Sequence, residues 1–487
     1  MRRGESRVVA RSGAALPVKS HRHTRTPAVV EKDTIAAIAT PRGAGGIGIV
    51  RISGPAAESI CRLLFKPKKN RTPMESHRLY YGECIAPASG AVIDEVLVTL
   101  MRAPHSYTGE DTLEIHCHGG QLILEAILGE AVRAGARPAD PGEFTRRAFL
   151  NERLDLTRAE AVMDLITAQT ERGRDLALSQ FRGGISKVIE EYRSSLADIL
   201  AEIEMSIDFN EEDGKADHSE ELVSGIEEVR AGIIDMLSTF REGSIQREGI
   251  SVVIAGRPNV GKSSLLNRLV GQRRAIVTST PGTTRDFIEE VVTIEGMPVK
   301  FIDTAGVREG GEEIEREGIS FVWEKVAAAD IVIVLTDGSA PLAEEDHDMI
   351  ARCAGKSVIL ALNKSDLPAV VTPDELSRSV PGSDPLAISA KFGDGIPALK
   401  KKIYGVAAGA ESAPAARCVI TNLRHKIALE KAADALERAC ESLRDGLSPE
   451  MPAVDIREAL ESLAEIVGAT TTEEILDRIF SRFCVGK

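Results

Sequence analysis

Gly256-Arg257-Pro258-Asn259-Val260-Gly261-Lys262-Ser263 follows the apolar run Ile250 to Ala255 and precedes the helical pattern Leu265 to Leu269. Gly-x4-Gly-Lys-Ser between a strand and a helix is a phosphate-binding loop. Glycines let backbone N–H groups and the helix N-terminus curl round phosphate oxygens. The spacing assigns Asn259, Val260, Gly261, Lys262, Ser263 and Ser264 to that cradle, with Lys262 reaching the β and γ phosphates and the Ser263 hydroxyl ligating Mg²⁺.

Two later signals select the nucleotide. After the strand Val299 to Ile302 comes Asp303-Thr304-Ala305-Gly306, where an Asp holds magnesium through water and a Gly presents its N–H to the γ-phosphate. After Val358 to Leu362 comes Asn363-Lys364-Ser365-Asp366, whose carboxylate accepts from both guanine N1–H and the exocyclic amine; adenine lacks that donor pair. Ser389-Ala390-Lys391, one strand later, covers the guanine carbonyl. The ligand is therefore read as GTP. Many GTPases place a water-orienting Gln after the Asp-x-x-Gly element, but here that position is Val307. Thr278-Ser279-Thr280-Pro281-Gly282-Thr283-Thr284-Arg285-Asp286 supplies hydroxyls suited to a second Mg²⁺ ligand, or is a switch loop without metal.

Outward from this segment the period is helical. Ile185, Val188, Ile189, Tyr192, Leu196, Ile199, Leu200, Ile203 and Ile207 form one stripe; Ile226, Val229, Ile233, Met236 or Leu237, and Phe240 repeat it, as do Leu429, Leu436 and Leu443, then Ile456, Leu460, Leu463 and Val467. Some seventy C-terminal residues make a marginal core alone, so the stripes on both sides are expected to share one bundle. The resulting division is a basic tail at 1–32, a mixed α/β domain at 33–152, a helical part at 153–248, an inserted nucleotide domain with a mostly parallel sheet at 249–405, and a second helical part at 406–487. Gly43, Gly45 and Gly48 have G-x-G-x-x-G spacing but run into the strand Ile47 to Ile52 rather than a helix, which excludes a dinucleotide fingerprint.

With 74 acidic against 60 basic side chains, a net −14, the chain as a whole repels nucleic acid, so any RNA contact needs a local basic patch. Its seven cysteines lack paired spacing, which fits reduced thiols, and no apolar run spans a bilayer. A soluble cytoplasmic protein without membrane attachment is expected. The Arg-rich tail reads as disordered, with a transit peptide or an upstream start as alternatives.

Ala39-Thr-Pro-Arg-Gly-Ala-Gly-Gly, Tyr107-Thr-Gly-Glu-Asp111, Arg137-Pro-Ala-Asp-Pro-Gly-Glu-Phe144, Ala148-Phe-Leu-Asn-Glu-Arg-Leu-Asp155 and the terminal Phe483-Cys-Val-Gly-Lys487, together with the nucleotide motifs, resemble the MnmE (TrmE) family, GTPases that modify the wobble uridine of certain tRNAs. The resemblance implies an N-terminal domain that binds 5-formyl- or 5,10-methylene-tetrahydrofolate and forms a homodimer. It also implies an FAD-containing partner, MnmG, with which an aminomethyl or carboxymethylaminomethyl group is added at C5 of uridine 34. Carried over by position, K⁺ takes Asn259, Thr278, Thr280 and Thr283; Mg²⁺ takes Ser263 and Thr284; Glu315 positions the water; and folate takes Arg51, Glu114, Arg153 and Lys487. Thr280 stands where Ile is commoner, and Arg153 where Lys is often found.

Cys484 is either a functional thiol near the folate or a half-buried structural cysteine; Gly486 and Lys487 exclude a prenylation box. His116, Cys117 and His118 lack ligand spacing for a metal. A different class, a ribosome-assembly GTPase acting only as a switch, lacks a recognisable RNA-binding module.

Overall fold

Side-chain alternation builds the first sheet. In this computed structural model, which describes residues 33–41, 43–69, 73–208, 219–271, 289–302, 323–353, 355–380, 383–408 and 418–487, seven strands lie in the order β3-β4-β5-β6-β2-β1-β7. They are β1 (Ile35–Ile38), β2 (Gly45–Ser53), β3 (Phe65–Pro67), β4 (Leu79–Ile85), β5 (Val92–Met101), β6 (Thr112–Gly119) and β7 (Arg137–Pro138). Val50, Ile52, Val98, Leu100, Leu113 and Ile115 point to one face and are buried under α1 (Ala57–Leu64) and α2 (Gln121–Arg133). The residues between them, among them Arg51, Glu114 and His116, belong to the opposite face. Gly45 and Gly48 lie within β2, and a Cβ on Gly119 would come within 2.5 Å of the Gly45 carbonyl, so close strand approach uses these glycines.

Helices follow: α3 (Glu143–Leu150), α4 (Leu156–Thr167), α5 (Glu171–Phe181), α6 (Gly184–Asp208), α7 (Ser219–Ser238) and α8 (Phe240–Glu248). The stripe expected to run through Phe240 is broken at Thr239: its hydroxyl donates to the Met236 carbonyl at 2.6 Å and accepts the Ile420 N–H at 3.1 Å, so Phe240 opens a separate helix.

The second sheet has order β13-β12-β11-β8-β10-β9, parallel except for the β9–β10 hairpin. Its elements are β8 (Ile250–Ala255), α9 (Lys262–Val270), β9 (Glu289–Ile294), β10 (Met297–Ile302), β11 (Ile331–Asp337), α10 (Glu344–Arg352), β12 (Ser357–Asn363), α11 (Pro373–Ser379), β13 (Leu386–Ala387) and α12 (Ile396–Ala408). Three helices complete the chain: α13 (Leu423–Arg444), α14 (Glu450–Val467) and α15 (Glu473–Phe480).

One helical core draws on both sides of this sheet in the sequence. Ile189, Leu196 and Ile203 of α6 and Ile226 and Ile233 of α7 pack with Leu429 and Leu436 of α13 and Ile456 and Leu463 of α14. Beside it Glu160 of α4, 8% exposed, accepts hydrogen bonds from Arg424 at 2.9 and 3.1 Å, from His425 at 2.9 Å and from Asn422 at 3.0 Å. Burial works against its charge, but Arg424 and His425 outweigh burial and hold the carboxyl at about 2. Arg247, near the end of α8, pairs with Asp164 of α4 at 2.7 Å, tying the strand β8 that follows to the same helix.

A carboxyl depressed in the folded state adds stability above its unfolded pKa and loses it as pH falls through the folded value. Glu160→Gln is therefore expected to cost about 3 kcal/mol near pH 6, with the difference from wild type closing between about pH 5 and 2. Denaturant melts at stepped pH measure this; a pH-independent difference overturns it.

Candidate functional site

Strand β8 ends at Ala255 and the chain turns through backbone conformations that side chains resist. Gly256 has φ 154°, where a Cβ would meet the Leu335 carbonyl at 2.3 Å, and Gly261 has φ 101°, where a Cβ would meet Asn363 Nδ2 at 2.3 Å. Asn259 is left-handed at φ 64° with its side chain exposed, and Val260 is buried. Lys262 Nζ donates to the carbonyls of Gly256 at 2.8 Å and Arg257 at 2.9 Å, folding back over the loop it would share with phosphates. Ser263 and Ser264 stand exposed in the first turn of α9, where free N–H groups concentrate positive potential.

Two further strand ends converge here. Asn363, 3% exposed at the end of β12, donates from Nδ2 to the Val260 carbonyl at 2.7 Å and accepts the Ala390 N–H on Oδ1 at 2.9 Å. One amide thus braces the phosphate loop against the Ser389-Ala390-Lys391 loop. The buried Ser389 hydroxyl donates to Asp366 Oδ1 at 2.7 Å, which orients an otherwise exposed carboxylate. Lys364, at φ 65°, pairs with Asp337 at 2.5 Å; burial raises the Asp337 carboxyl, but Lys364 and Ser339 outweigh it and hold it low. Arg268 of α9 donates to the carbonyls of Ala390, at 3.2 Å, and Lys391. The structure therefore brings Asn259 to Ser264, Asn363, Lys364, Asp366 and Ser389 to Lys391 into one site. Thr278 to Thr284, Asp303 to Gly306, Val307 and Glu315 lie outside the described residues.

A second cluster joins the first sheet to the chain's end. Arg51 of β2 and Glu114 of β6, in register across the sheet, form an ion pair of 2.9 Å. Arg51 also donates to the Gly486 carbonyl at 3.3 Å and lies 5.7 Å from both the Tyr107 and Phe144 ring centres. Gly486, at φ 96°, lies so close to β1 that a Cβ there would come within 2.3 Å of the Ile38 carbonyl, so glycine lets the terminus seat against this strand. Burial, then the nearby Arg51 charge, push the Lys487 ammonium down, against Glu114 and Cys484. Arg153 is exposed and donates to the Ser106 carbonyl at 3.1 Å, so it borders the loop carrying Tyr107 rather than bonding to the Arg51–Glu114 pair. Cys484 is exposed, which removes the half-buried reading, while the other six cysteines are buried. Cys117 turns to the opposite face from His116 and His118, and no group of three metal-ligating side chains occurs among the described residues.

Residues 34–153 match the family model described as GTP-binding protein TrmE N-terminus, and residues 156–484 match the MnmE helical domain. The chain belongs to the MnmE family. The tRNA modification GTPase MnmE of Syntrophus aciditrophicus is 52% identical over 456 residues, 94% of this chain and 100% of that protein. The MnmE of Geobacter sulfurreducens is 45% identical over 458 residues, covering 94% and 99%, and that of Natranaerobius thermophilus 41% over 456, covering 94% and 100%. Among the described residues no helix is long and apolar enough to cross a membrane. Within this chain the bracing role of Asn363 and the contacts of the Tyr107 and Phe144 rings with Arg51 escaped the sequence reading; both rings belong to the motifs quoted from the sequence, and the usual pairing of buried amides offered a signal for Asn363.

Asn363→Ala leaves the Val260 carbonyl and the Ala390 N–H without their partner. GTP affinity is expected to fall by roughly ten- to a hundredfold, read by titration with a fluorescent GTP analogue. Unchanged affinity removes the brace.

Proposed function

We propose that the chain is a GTP hydrolase acting in tRNA modification, which with an FAD-containing MnmG partner adds an aminomethyl or carboxymethylaminomethyl group at C5 of uridine 34, using a tetrahydrofolate one-carbon donor. The convergence of the phosphate loop, Asp366 and the Ser389 loop on three strand ends, within a chain of the MnmE family, carries this reading. The domain division read from the sequence, a homodimer through the N-terminal domain, the cytoplasmic location and a bystander tail are parts of the same proposal.

At the nucleotide, Asp366 reads the guanine donors and Ser389 to Lys391 cover its carbonyl, while Lys262 leaves the loop carbonyls for the β and γ phosphates. Ser263 fits a Mg²⁺ ligand because its hydroxyl is exposed at the mouth of the loop; Thr284 is its proposed companion, with Asp303 holding the ion through water and Gly306 facing the γ-phosphate. Asn259 fits a K⁺ ligand because its side chain stands clear of the loop in a left-handed turn, with Thr278, Thr280 and Thr283 completing the set. A bound K⁺ would supply the positive charge that offsets the developing phosphate charge, and Glu315 would orient the water, which Val307 cannot do.

For folate, Arg51 and Lys487 bring two cationic groups to the Glu114 carboxylate. That suits the ligand's glutamate tail, and Glu114 suits the pterin's N–H donors. Arg153 edges this pocket, and Cys484 stands exposed beside Lys487 as its functional thiol.

Asp366→Asn is expected to weaken GTP and favour xanthosine triphosphate, since an amide cannot accept both guanine donors; competition titrations decide, and retained GTP preference removes Asp366 as the base reader. Potassium is expected to speed hydrolysis strongly over sodium at equal ionic strength, and Asn259→Ala to abolish that difference while sparing GTP binding. Equal turnover in the two salts would falsify the monovalent site.

A further inference from the structure

Glu114 is gripped from two sides. Arg51 Nε donates to Oε1 at 2.9 Å, and His116, two residues along β6 on the same face, approaches Oε2 with Nε2 at 3.2 Å. The side chains are 16%, 16% and 26% exposed for Arg51, Glu114 and His116, so the trio is sheltered but open to a ligand at its edge. In register beside His116 stand Leu97 of β5 and Ile49 of β2, and beside Glu114 stands Thr99 of β5, none of them charged. Among the described residues the charged and titratable groups acting on Glu114 are therefore Arg51 on β2, His116 on β6 and Lys487 at the terminus, with Cys484 beside Lys487. Opposite a carboxylate, Nε2 is the protonated nitrogen.

We propose that His116 is a positioning residue of this site, its Nε2–H clamping the second oxygen of Glu114 so that the carboxylate is presented to the ligand in one orientation between two donors. This rests on the reading of Arg51, Glu114 and Lys487 as a folate pocket, and adds a residue that the family resemblance does not carry over. The hydrogen bond from His116 is the largest influence on the Glu114 carboxyl; with Arg51 it outweighs burial and keeps the group below the ordinary carboxylate range. A carboxylate held only by Arg51 would lose part of that bias and swing about its terminal torsion, which is soft.

The test is titration of the full-length protein with 5-formyltetrahydrofolate from pH 4 to 8. His116→Ala is expected to weaken binding about tenfold at neutral pH and to move the acidic loss of binding to higher pH, because the Glu114 carboxyl returns toward its ordinary range. His116→Gln, which keeps an N–H of similar reach, is expected to restore both, and potassium-stimulated GTP turnover stays at the wild-type level in each. If His116→Ala matches wild type in affinity and acidic limb while Glu114→Gln loses the ligand, His116 is only a surface histidine. A loss that Gln does not restore, with an unmoved acidic limb, is a packing defect and equally overturns the clamp. If Glu114→Gln and Arg51→Ala also bind as wild type does, the folate reading itself fails.

Discussion

Glu160 is a charge buried near the start of the helical region, and the groups that satisfy it come from the far side of the nucleotide-binding segment. Arg424, His425 and Asn422 reach it from the start of α13, and Arg424 goes on to bond the carbonyls of Glu465 and Ile466 near the end of α14. An unpaired carboxylate at that depth would be strongly destabilising, so the contact between α4 and α13 is obligatory rather than incidental. Once it forms, α6 and α7 have their apolar stripes faced by α13 and α14, and the chain between is held as an excursion from one body. Arg247 on Asp164 brings the departing strand back to the same helix.

Within that excursion the site depends on a quieter contact. Asn363 carries no charge, yet it connects the loop that would hold phosphates to the loop that would cover the base. Its amide offers a donor and an acceptor at a fixed angle, which is why Asp at this position would leave the Val260 carbonyl facing another acceptor. The Ser389 hydroxyl then fixes Asp366 in turn. The loops proposed to read the base and to hold the phosphates are joined by one connected group of hydrogen bonds.

Much of this was legible because it is local. The phosphate loop, the two motifs at later strand ends and the heptad-like stripes of α6, α13 and α14 each occupy a short window whose period or spacing states its purpose. What stayed hidden is set by register and by long-range return. β3 is three residues long and β4 exposes Leu79 and Tyr81 on its outer face, so neither announces a half-buried strand. Arg51 meets Glu114 only because β2 and β6 pair antiparallel, and the Gly486 carbonyl meets Arg51 only because the terminus folds back onto β1. Thr239 ended a helix by a side-chain bond to residue 420, which no window around Phe240 contains.

The shared helical core also sets an order of events during synthesis. Ile189, Leu196, Ile226 and Ile233 emerge from the ribosome long before Leu429, Leu436, Ile456 and Leu463, the residues that cover them. At about 5–20 residues per second, the intervening segment takes on the order of ten seconds or more to translate. During that interval the sheet around β8 has its own core to close, while α6 and α7 present bare apolar stripes to solvent. Translation therefore creates a waiting state for this chain, exposed to aggregation or chaperone capture, that a circularly permuted version with its helical parts made consecutively would not pass through.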